Sequence, residues 1–263
     1  MIIVKLGGGK EINIEGAVKD LAELDQEFIL VHGANTIRDE IAEKLGKPTR
    51  VVTSVSGYSS VLSDETAIDA IMMGYSGIKN KRIVELCQRN GINAVGLSGI
   101  DGKLIQGERN KGIRIRKGKK VMILRDYSGK PKRVNKELLQ LLLDHGYVPV
   151  ICIPITDENN VAINSENDDI VNVLQEAFQA DLILQLIEAP GYLENKDDEN
   201  SLIQTITSDE LKAREAQVEG RMKRKMLALR KLIENGAKRV IISDGRVEHP
   251  IKGALAGKGT IIQ

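Results

Sequence analysis

Tryptophan is absent from the 263-residue chain, and aromatic residues make up only 3% of it. So few rings argue against a stacking platform for single-stranded nucleic acid. Cysteine occurs twice, at Cys87 and Cys152, each inside an apolar periodic run. The absence of any Cys-x-x-Cys or Cys/His cluster removes a structural zinc site from consideration, and no metal ligands are assigned. Both thiols read as buried and free, with a disulfide left open. No apolar run reaches the ~20 residues of a membrane span. The chain enters Ile2-Ile3-Val4-Lys5 without a basic segment, apolar stretch and cleavage site, so a cytoplasmic protein is expected, without membrane contact. An excess of one charge is missing too: 38 Lys plus Arg face 37 Asp plus Glu. A whole-surface nucleic-acid binder would be more basic.

What is present is an alternation of short β-branched runs with helical patterns, the grammar of βαβ units and a largely parallel sheet. Strands are expected at 1–6, 28–31, 94–99, 148–153, 181–187 and 239–243, and helices at 14–24, 36–45, 136–143, 170–178, 219–233 and 250–256. Helical spacing over 63–73 resumes at 81–89 after an interruption at Gly74 to Gly77. Residues 109–133 read as hairpins, with a strand at 121–124 and a turn at Ser128-Gly129-Lys130-Pro131. No linker divides the chain, so residues 1–263 are expected to form one domain, a size near the limit for a single core.

Three expected strands run into glycine-bearing turns: Lys5-Leu6-Gly7-Gly8-Gly9, His32-Gly33-Ala34-Asn35 and Ser98-Gly99-Ile100-Asp101-Gly102. Turns without side chains let anionic oxygens reach backbone N–H groups, reinforced by the next helix N-terminus. Ligands in open α/β sheets bind outside the C-terminal strand ends, so such turns could frame one crevice. Neither GxxxxGK[ST] nor GxGxxG is present, which removes a Walker A loop and a dinucleotide fingerprint.

Asn164 and Asp168 flank the start of an expected helix, where they read either as caps or as groups that orient lysines around a phosphoryl group. Gly220 to Lys225 holds four cations in six residues; Lys225 shares a helix face with Arg221. Residues 109–133 contain eleven Lys or Arg and one acid, Asp126, a local asymmetry that suits an anionic partner.

Taken in order, Lys5-Leu6-Gly7-Gly8, Val31-His32-Gly33, Asn80-Lys81, Gly96 to Gly102, Tyr147 to Val150, Asn164 with Asp168, and Gly220 to Lys225 resemble the amino acid kinase family, in particular its acetylglutamate-kinase-like members. Val134-Asn135-Lys136, Asp244 to Val247 and Gly257 to Thr260 are similar to the subgroup that phosphorylates α-aminoadipate on the small acidic amino-group carrier LysW. The resemblance implies a three-layer α/β sandwich with a mostly parallel central sheet, the amino acid kinase fold. It implies a substrate- and carrier-side lobe at about 1–170 and a nucleotide-side lobe at about 171–263. ATP with Mg²⁺ held through its phosphates, and a homodimer, are implied as well.

By the same resemblance, Lys5 and Lys225 contact the transferring phosphoryl group and Asp168 orients them. Gly8, Gly33, Ala34 and Asn35 line the phosphoryl and substrate oxygens, and Asn164 holds the α-side of the acceptor. Asp181, Glu188, Gly191, Tyr192 and Met222 mark the nucleotide. Arg109, Lys111, Arg114, Arg116, Lys119 and Lys120 dock the carrier. Three positions depart from the pattern. Ala34 and Asn35 stand where small residues follow His-Gly. Val61, in Val61-Leu62-Ser63-Asp64, occupies the place of an arginine that clamps the substrate's distal carboxylate, with Arg50 or Lys47 as candidates to supply that charge. Glu188-Ala189-Pro190-Gly191 replaces a Ser-Asp before the nucleotide-side glycine. The expected activity is ATP-dependent phosphorylation of carrier-linked aminoadipate, or of glutamate. The alternatives are a kinase of free N-acetylglutamate, a non-catalytic nucleotide-binding regulator or scaffold, and a basic-hairpin nucleic-acid binder.

Overall fold

The computed structural model describes the chain apart from Ser56, Tyr58, Lys119 and Glu219, and apart from the side chains at 59, 220–222 and 224. In chain order the first elements are β1 (Ile2–Leu6), α1 (Ile14–Ala22), β2 (Phe28–His32), α2 (Asn35–Lys44) and a short ribbon of β3 (Val51–Thr53) with β4 (Ser59–Val61). Next come α3 (Glu65–Ile71), a π-helix (Met72–Lys79), α4 (Asn80–Arg89), β5 (Ala94–Ser98), β6 (Ile105–Arg109), β7 (Ile113–Lys117), β8 (Lys120–Leu124) and β9 (Gly129–Val134). They are followed by α5 (Lys136–Asp144), β10 (Val148–Cys152), β11 (Ile155–Thr156), β12 (Ala162–Ile163), α6 (Asn167–Phe178) and β13 (Leu182–Ile187). The chain closes with β14 (Thr205–Ile206), α7 (Ser208–Gln217), α8 (Gly220–Glu234), β15 (Val240–Asp244), α9 (Pro250–Leu255) and β16 (Thr260–Ile262).

An eight-stranded sheet in the order β14-β16-β15-β13-β1-β2-β10-β5 forms the middle layer, parallel except where β16 runs antiparallel to β15. Helices cover both faces, giving the expected three-layer sandwich. Because side chains alternate along a strand, each central strand feeds two cores. Ile3, Ile29, Val31, Ile151 and Ile183 pack with Ile170, Val171 and Leu174 of α6 and with Met226, Leu229 and Leu232 of α8. Val4, Leu6, Leu30, Val150 and Leu184 pack with α1, α4 and α9 through Val18, Ile83 and Ile251. That parity places Lys5 on the α6 side, with Ile3, and His32 on the α4 side, with Leu30.

Two sequence readings are corrected. Gly74 to Gly77 does not interrupt the helix: the π-helix carries it through to α4, and a Cβ on Gly74 would lie 3.1 Å from the Arg38 Cα, so the glycine permits close packing on α2. Ser128 to Pro131 is not a turn. Gly129 opens β9, which pairs antiparallel with β6, and a Cβ there would meet the Glu108 carbonyl oxygen at 2.3 Å. Both cysteines are buried and free, as expected. Among the described residues no helix is long and apolar enough to cross a membrane.

Candidate active site

β1 and β2 pair in parallel with Leu6 opposite His32, so their two glycine turns emerge side by side at the C-terminal ends of the strands. Contact between them is backbone to backbone. A Cβ on Gly8 would lie 2.9 Å from the amide nitrogens of both Ala34 and Asn35, and one on Gly33 would lie 2.8 Å from the Gly8 Cα. No other residue type fits either position without displacing main chain. Ala34 caps α2 with φ −149°, a negative value that its methyl tolerates. The paired amides make a cradle suited to phosphate oxygens, beside the N-terminus of a ten-residue helix.

Lys5 points from β1 toward the first turn of α6 and donates from Nζ to the Asp168 carboxylate. Both side chains are largely enclosed, at 12% and 21% exposure. Burial pushes the Asp168 carboxyl up, but the Lys5 charge and hydrogen bond, and then the Lys225 charge, outweigh it and hold it below the ordinary carboxylate range. The α6 N-terminus favours the same anionic form. Lys225 lies on α8, which packs beside α6: Asn172 of α6 donates to the Ala228 carbonyl at 3.1 Å. Lys5, Asp168 and Lys225 therefore form one electrostatic unit drawn from three elements.

Asn164 stands at the entry to α6. Its Nδ2 donates to Ser63 Oγ at 3.0 Å, and its backbone N–H to the Tyr127 carbonyl at 2.7 Å. Ser63 N–H donates in turn to Oδ1 of the buried Asp126 at 2.8 Å, and Ser128 Oγ donates to the other oxygen of that carboxylate. Beside Asn164, Ser165 Oγ and Asn167 Oδ1 are buried with no hydrogen-bond partner among the described residues. Orphaned groups of this kind normally mark a bound ligand or water. Ser63 and Ser165 carried no signal in the sequence, where nothing distinguishes a buried serine from a loop one, and Asp126 stood out only as the lone acid of the basic segment.

Val61 ends β4 opposite Val51, half-buried, and Leu62 N–H donates to the Arg50 carbonyl at 2.8 Å. Arg50 and Lys47 are exposed, the latter with Nζ 3.1 Å from Thr66 Oγ1. Asn35 accepts the Tyr75 hydroxyl hydrogen bond.

On the expected nucleotide side, Glu188 follows β13 and its Oε1 accepts from Glu11 N–H at 2.7 Å, over the first glycine turn. Gly191 packs on Thr260, whose Oγ1 accepts from Tyr192 N–H at 2.8 Å. Met222 lies on α8 with its side chain outside the described set. Asp181 does not belong with these residues. It precedes β13 at the N-terminal ends of the parallel strands, opposite the glycine turns, where it pairs with the N-terminal ammonium at 3.0 Å and with Lys238 at 2.9 Å. The turn at Ser98 to Gly102 is likewise not open to an anion, because Asp101 Oδ2 already accepts from Ser98 N–H at 2.7 Å and from its hydroxyl at 2.8 Å.

Of the basic segment, Arg109 turns inward: its guanidinium carbon lies 3.8 Å above the Tyr127 ring, and Nε donates to the Asp126 carbonyl at 2.9 Å. Lys111, Arg114, Arg116 and Lys120 are exposed, while Lys119 lies outside the described residues. In the β7–β8 ribbon, Arg114 faces Ile123 and Arg116 faces Val121, so one surface alternates guanidiniums with exposed apolar side chains. The ribbon is tied to the segment after β3 by Val55 N–H, which donates to the Arg114 carbonyl at 2.8 Å.

The amino acid kinase family model matches residues 1–244. A LysW-aminoadipate kinase from Thermus thermophilus is 41% identical, covering 100% of both chains. An acetylglutamate kinase from Methanopyrus kandleri is 32% identical, again over 100% of both. Among solved structures, isopentenyl phosphate kinase from T. acidophilum superposes with a TM-score of 0.63 at 15% identity over 100% of each chain, a likeness of fold. The chain belongs to the amino acid kinase family.

Proposed function

We propose that the protein transfers the γ-phosphoryl group of ATP to the side-chain carboxylate of α-aminoadipate carried, through its amino group, on a small acidic LysW-type protein, in lysine biosynthesis. Full-length similarity to a LysW-aminoadipate kinase supports the acceptor. The observation that carries the phosphoryl-transfer reading is the Lys5–Asp168 pair, with Lys225 in its field, beside the Gly8–Gly33 cradle.

A carboxylate is already nucleophilic, so this chemistry needs no strong base. One carboxylate oxygen attacks the γ-phosphorus, the bond to the β,γ-bridging oxygen breaks, and ADP leaves with that electron pair. Lys5 and Lys225 offset the charge on the phosphoryl oxygens, and Asp168 fixes the ammonium of Lys5. N–H groups of the Gly8 and Gly33–Ala34 turns, other than that of Gly33, which donates to the Leu6 carbonyl at 2.9 Å, receive phosphoryl and acceptor oxygens. Asn35 and Asn164 bound the acceptor; Glu188, Gly191, Tyr192 and the start of α8 bound the nucleotide. Among the described residues no group of three His, Cys, Asp or Glu is arranged to hold a metal, so Mg²⁺ would enter on the nucleotide phosphates. Lys111, Arg114, Arg116 and Lys120 form the carrier-docking face. We assign the protein to the cytoplasm and to a homodimer, which sedimentation tests.

Purified protein with ATP-Mg²⁺ is offered carrier-linked aminoadipate, carrier-linked glutamate or free N-acetylglutamate, and acyl phosphate is trapped with hydroxylamine. Product from carrier-linked aminoadipate is expected. Product from the carrier-linked glutamate would add a role in arginine biosynthesis. Product from free N-acetylglutamate alone would replace the carrier reading, and none from any acceptor would remove the kinase reading.

A further inference from the structure

Arg38 is the one Lys or Arg buried outright among the described residues, with its side chain 10% exposed. Guanidiniums are seldom buried unless paired or used. Arg38 lies one turn into α2, its N–H donating to the Ala34 carbonyl at 2.9 Å, so it follows directly on the Gly33–Asn35 turn. Its partners are incomplete. Nε donates to Asp39 Oδ1 at 2.9 Å, Nη2 lies 2.8 Å from the same oxygen as an ion pair, and that oxygen also accepts from Thr49 Oγ1 at 2.6 Å. Nη1 reaches Asn35 Oδ1 only at 3.5 Å, and that atom already accepts the Tyr75 hydroxyl. Among the described residues Nη2 has no hydrogen-bond acceptor and Nη1 only the distant Asn35, which leaves the outer edge, the pair that grips a planar carboxylate, undersupplied.

The surroundings suit such a ligand. Nη1 of Arg38 and the Tyr75 hydroxyl meet at Asn35 Oδ1, in the turn that packs on Gly8, so the guanidinium stands beside the glycine cradle. The entry to α6 holds the orphaned Ser165 Oγ and Asn167 Oδ1. Lys5 is committed to Asp168 and Arg109 to Tyr127 and Asp126, while Lys47 and Arg50 are exposed. Aminoadipate joined through its amino group keeps a free α-carboxylate besides the one phosphorylated, and position 61 offers it only a valine.

We propose that Arg38 binds the α-carboxylate of the acceptor through the outer edge of its guanidinium and so sets acceptor specificity. This rests on the acceptor reading above. The test compares carrier-linked aminoadipate with its α-carboxamide counterpart. Wild type should favour the carboxylate by roughly 10- to 100-fold in kcat/KM. Arg38→Met should lower turnover of the carboxylate by a similar factor, mainly through KM, and nearly abolish the preference while leaving KM for ATP unchanged. Val61→Arg added to Arg38→Met should recover part of the preference. Arg38→Met that keeps the full wild-type preference, or loses both acceptors equally, overturns the assignment. Should Arg38→Met fail to fold, Arg38→Lys decides: its ammonium lacks the fork, so the preference should shrink several-fold, and an unchanged preference counts against Arg38. Absence of product from wild type with either acceptor removes the kinase reading and this assignment with it; turnover with unaltered preference in the variant removes the assignment alone.

Discussion

The proposed phosphoryl side of the site and its proposed acceptor side are built from different material. Lys5, Gly8, Gly33 and Asp168 hang from the centre of an eight-stranded sheet and the helix packed on it, where strand parity fixes the lysine and the two turns pack too closely to admit a Cβ at either glycine. On the acceptor side, Val61, Arg114 and Arg116 sit on two-stranded ribbons with few buried residues. A site made this way can change what it accepts by altering ribbons while the transfer geometry stays with the core. The valine at position 61 fits that division, whereas Arg38, buried on α2, is a proposed acceptor contact that belongs to the core.

Substitutions on the phosphoryl side should therefore break the enzyme, and those on the ribbons should only retune it. The largest effect is expected from Lys5→Met, which leaves the enclosed Asp168 carboxylate without its main partner. It should cut kcat by roughly 10²- to 10³-fold and lower stability by about 3 kcal/mol, read by steady-state kinetics and urea unfolding. Gly8→Ala forces a methyl against two backbone nitrogens and should lower kcat/KM by about 10- to 100-fold. Wild-type kinetics there would mean that the two turns can part.

A pH titration probes the far side of the same turn. Burial among apolar groups holds His32 down to about 3, with its ring beside Asn80 Nδ2 at 3.2 Å. Above the ordinary value of 6.5 the ring is neutral folded or unfolded and stability is unaffected. Below it only the unfolded chain takes the proton, so stability falls by about 1.4 kcal/mol per pH unit until about pH 3. Between pH 6.5 and 5 the loss should be about 2 kcal/mol, and His32→Asn should flatten that part of the profile. The smallest effect belongs to the ribbon. Arg114→Ser with Arg116→Ser should raise KM for the carrier-linked acceptor by about 10-fold at low salt and less at high salt, without changing KM for ATP. A salt-independent change would argue against docking by charge.

The same division governs what the sequence disclosed. That Lys5 meets Asp168 and that the Gly8 and Gly33 turns lie side by side could be anticipated, because strand-to-helix turns and helix entries carry local signals. The burial of Arg38 could not, since a cation in an amphipathic helix reads as surface until its neighbours are known; only the packing of α2 on the π-helix buries it. Asp181 was misplaced for the converse reason: it adjoins a core strand, but at the wrong end, and a strand's direction in the sheet is set by tertiary pairing. The glycines at 74 and 77 read as a break because helix propensity disfavours them, whereas here Gly74 serves close helix contact.

The most direct test of a Lys5–Asp168–Lys225 phosphoryl site is a single-turnover measurement on Asp168→Asn, with nucleotide affinity determined on the same protein. Asparagine keeps the shape and removes the charge that holds Lys5. The predicted result is acyl-phosphate formation slowed by roughly 10²-fold or more, with ATP affinity within about threefold of wild type. Formation at the wild-type rate, with Asp168 neutral, would contradict the account.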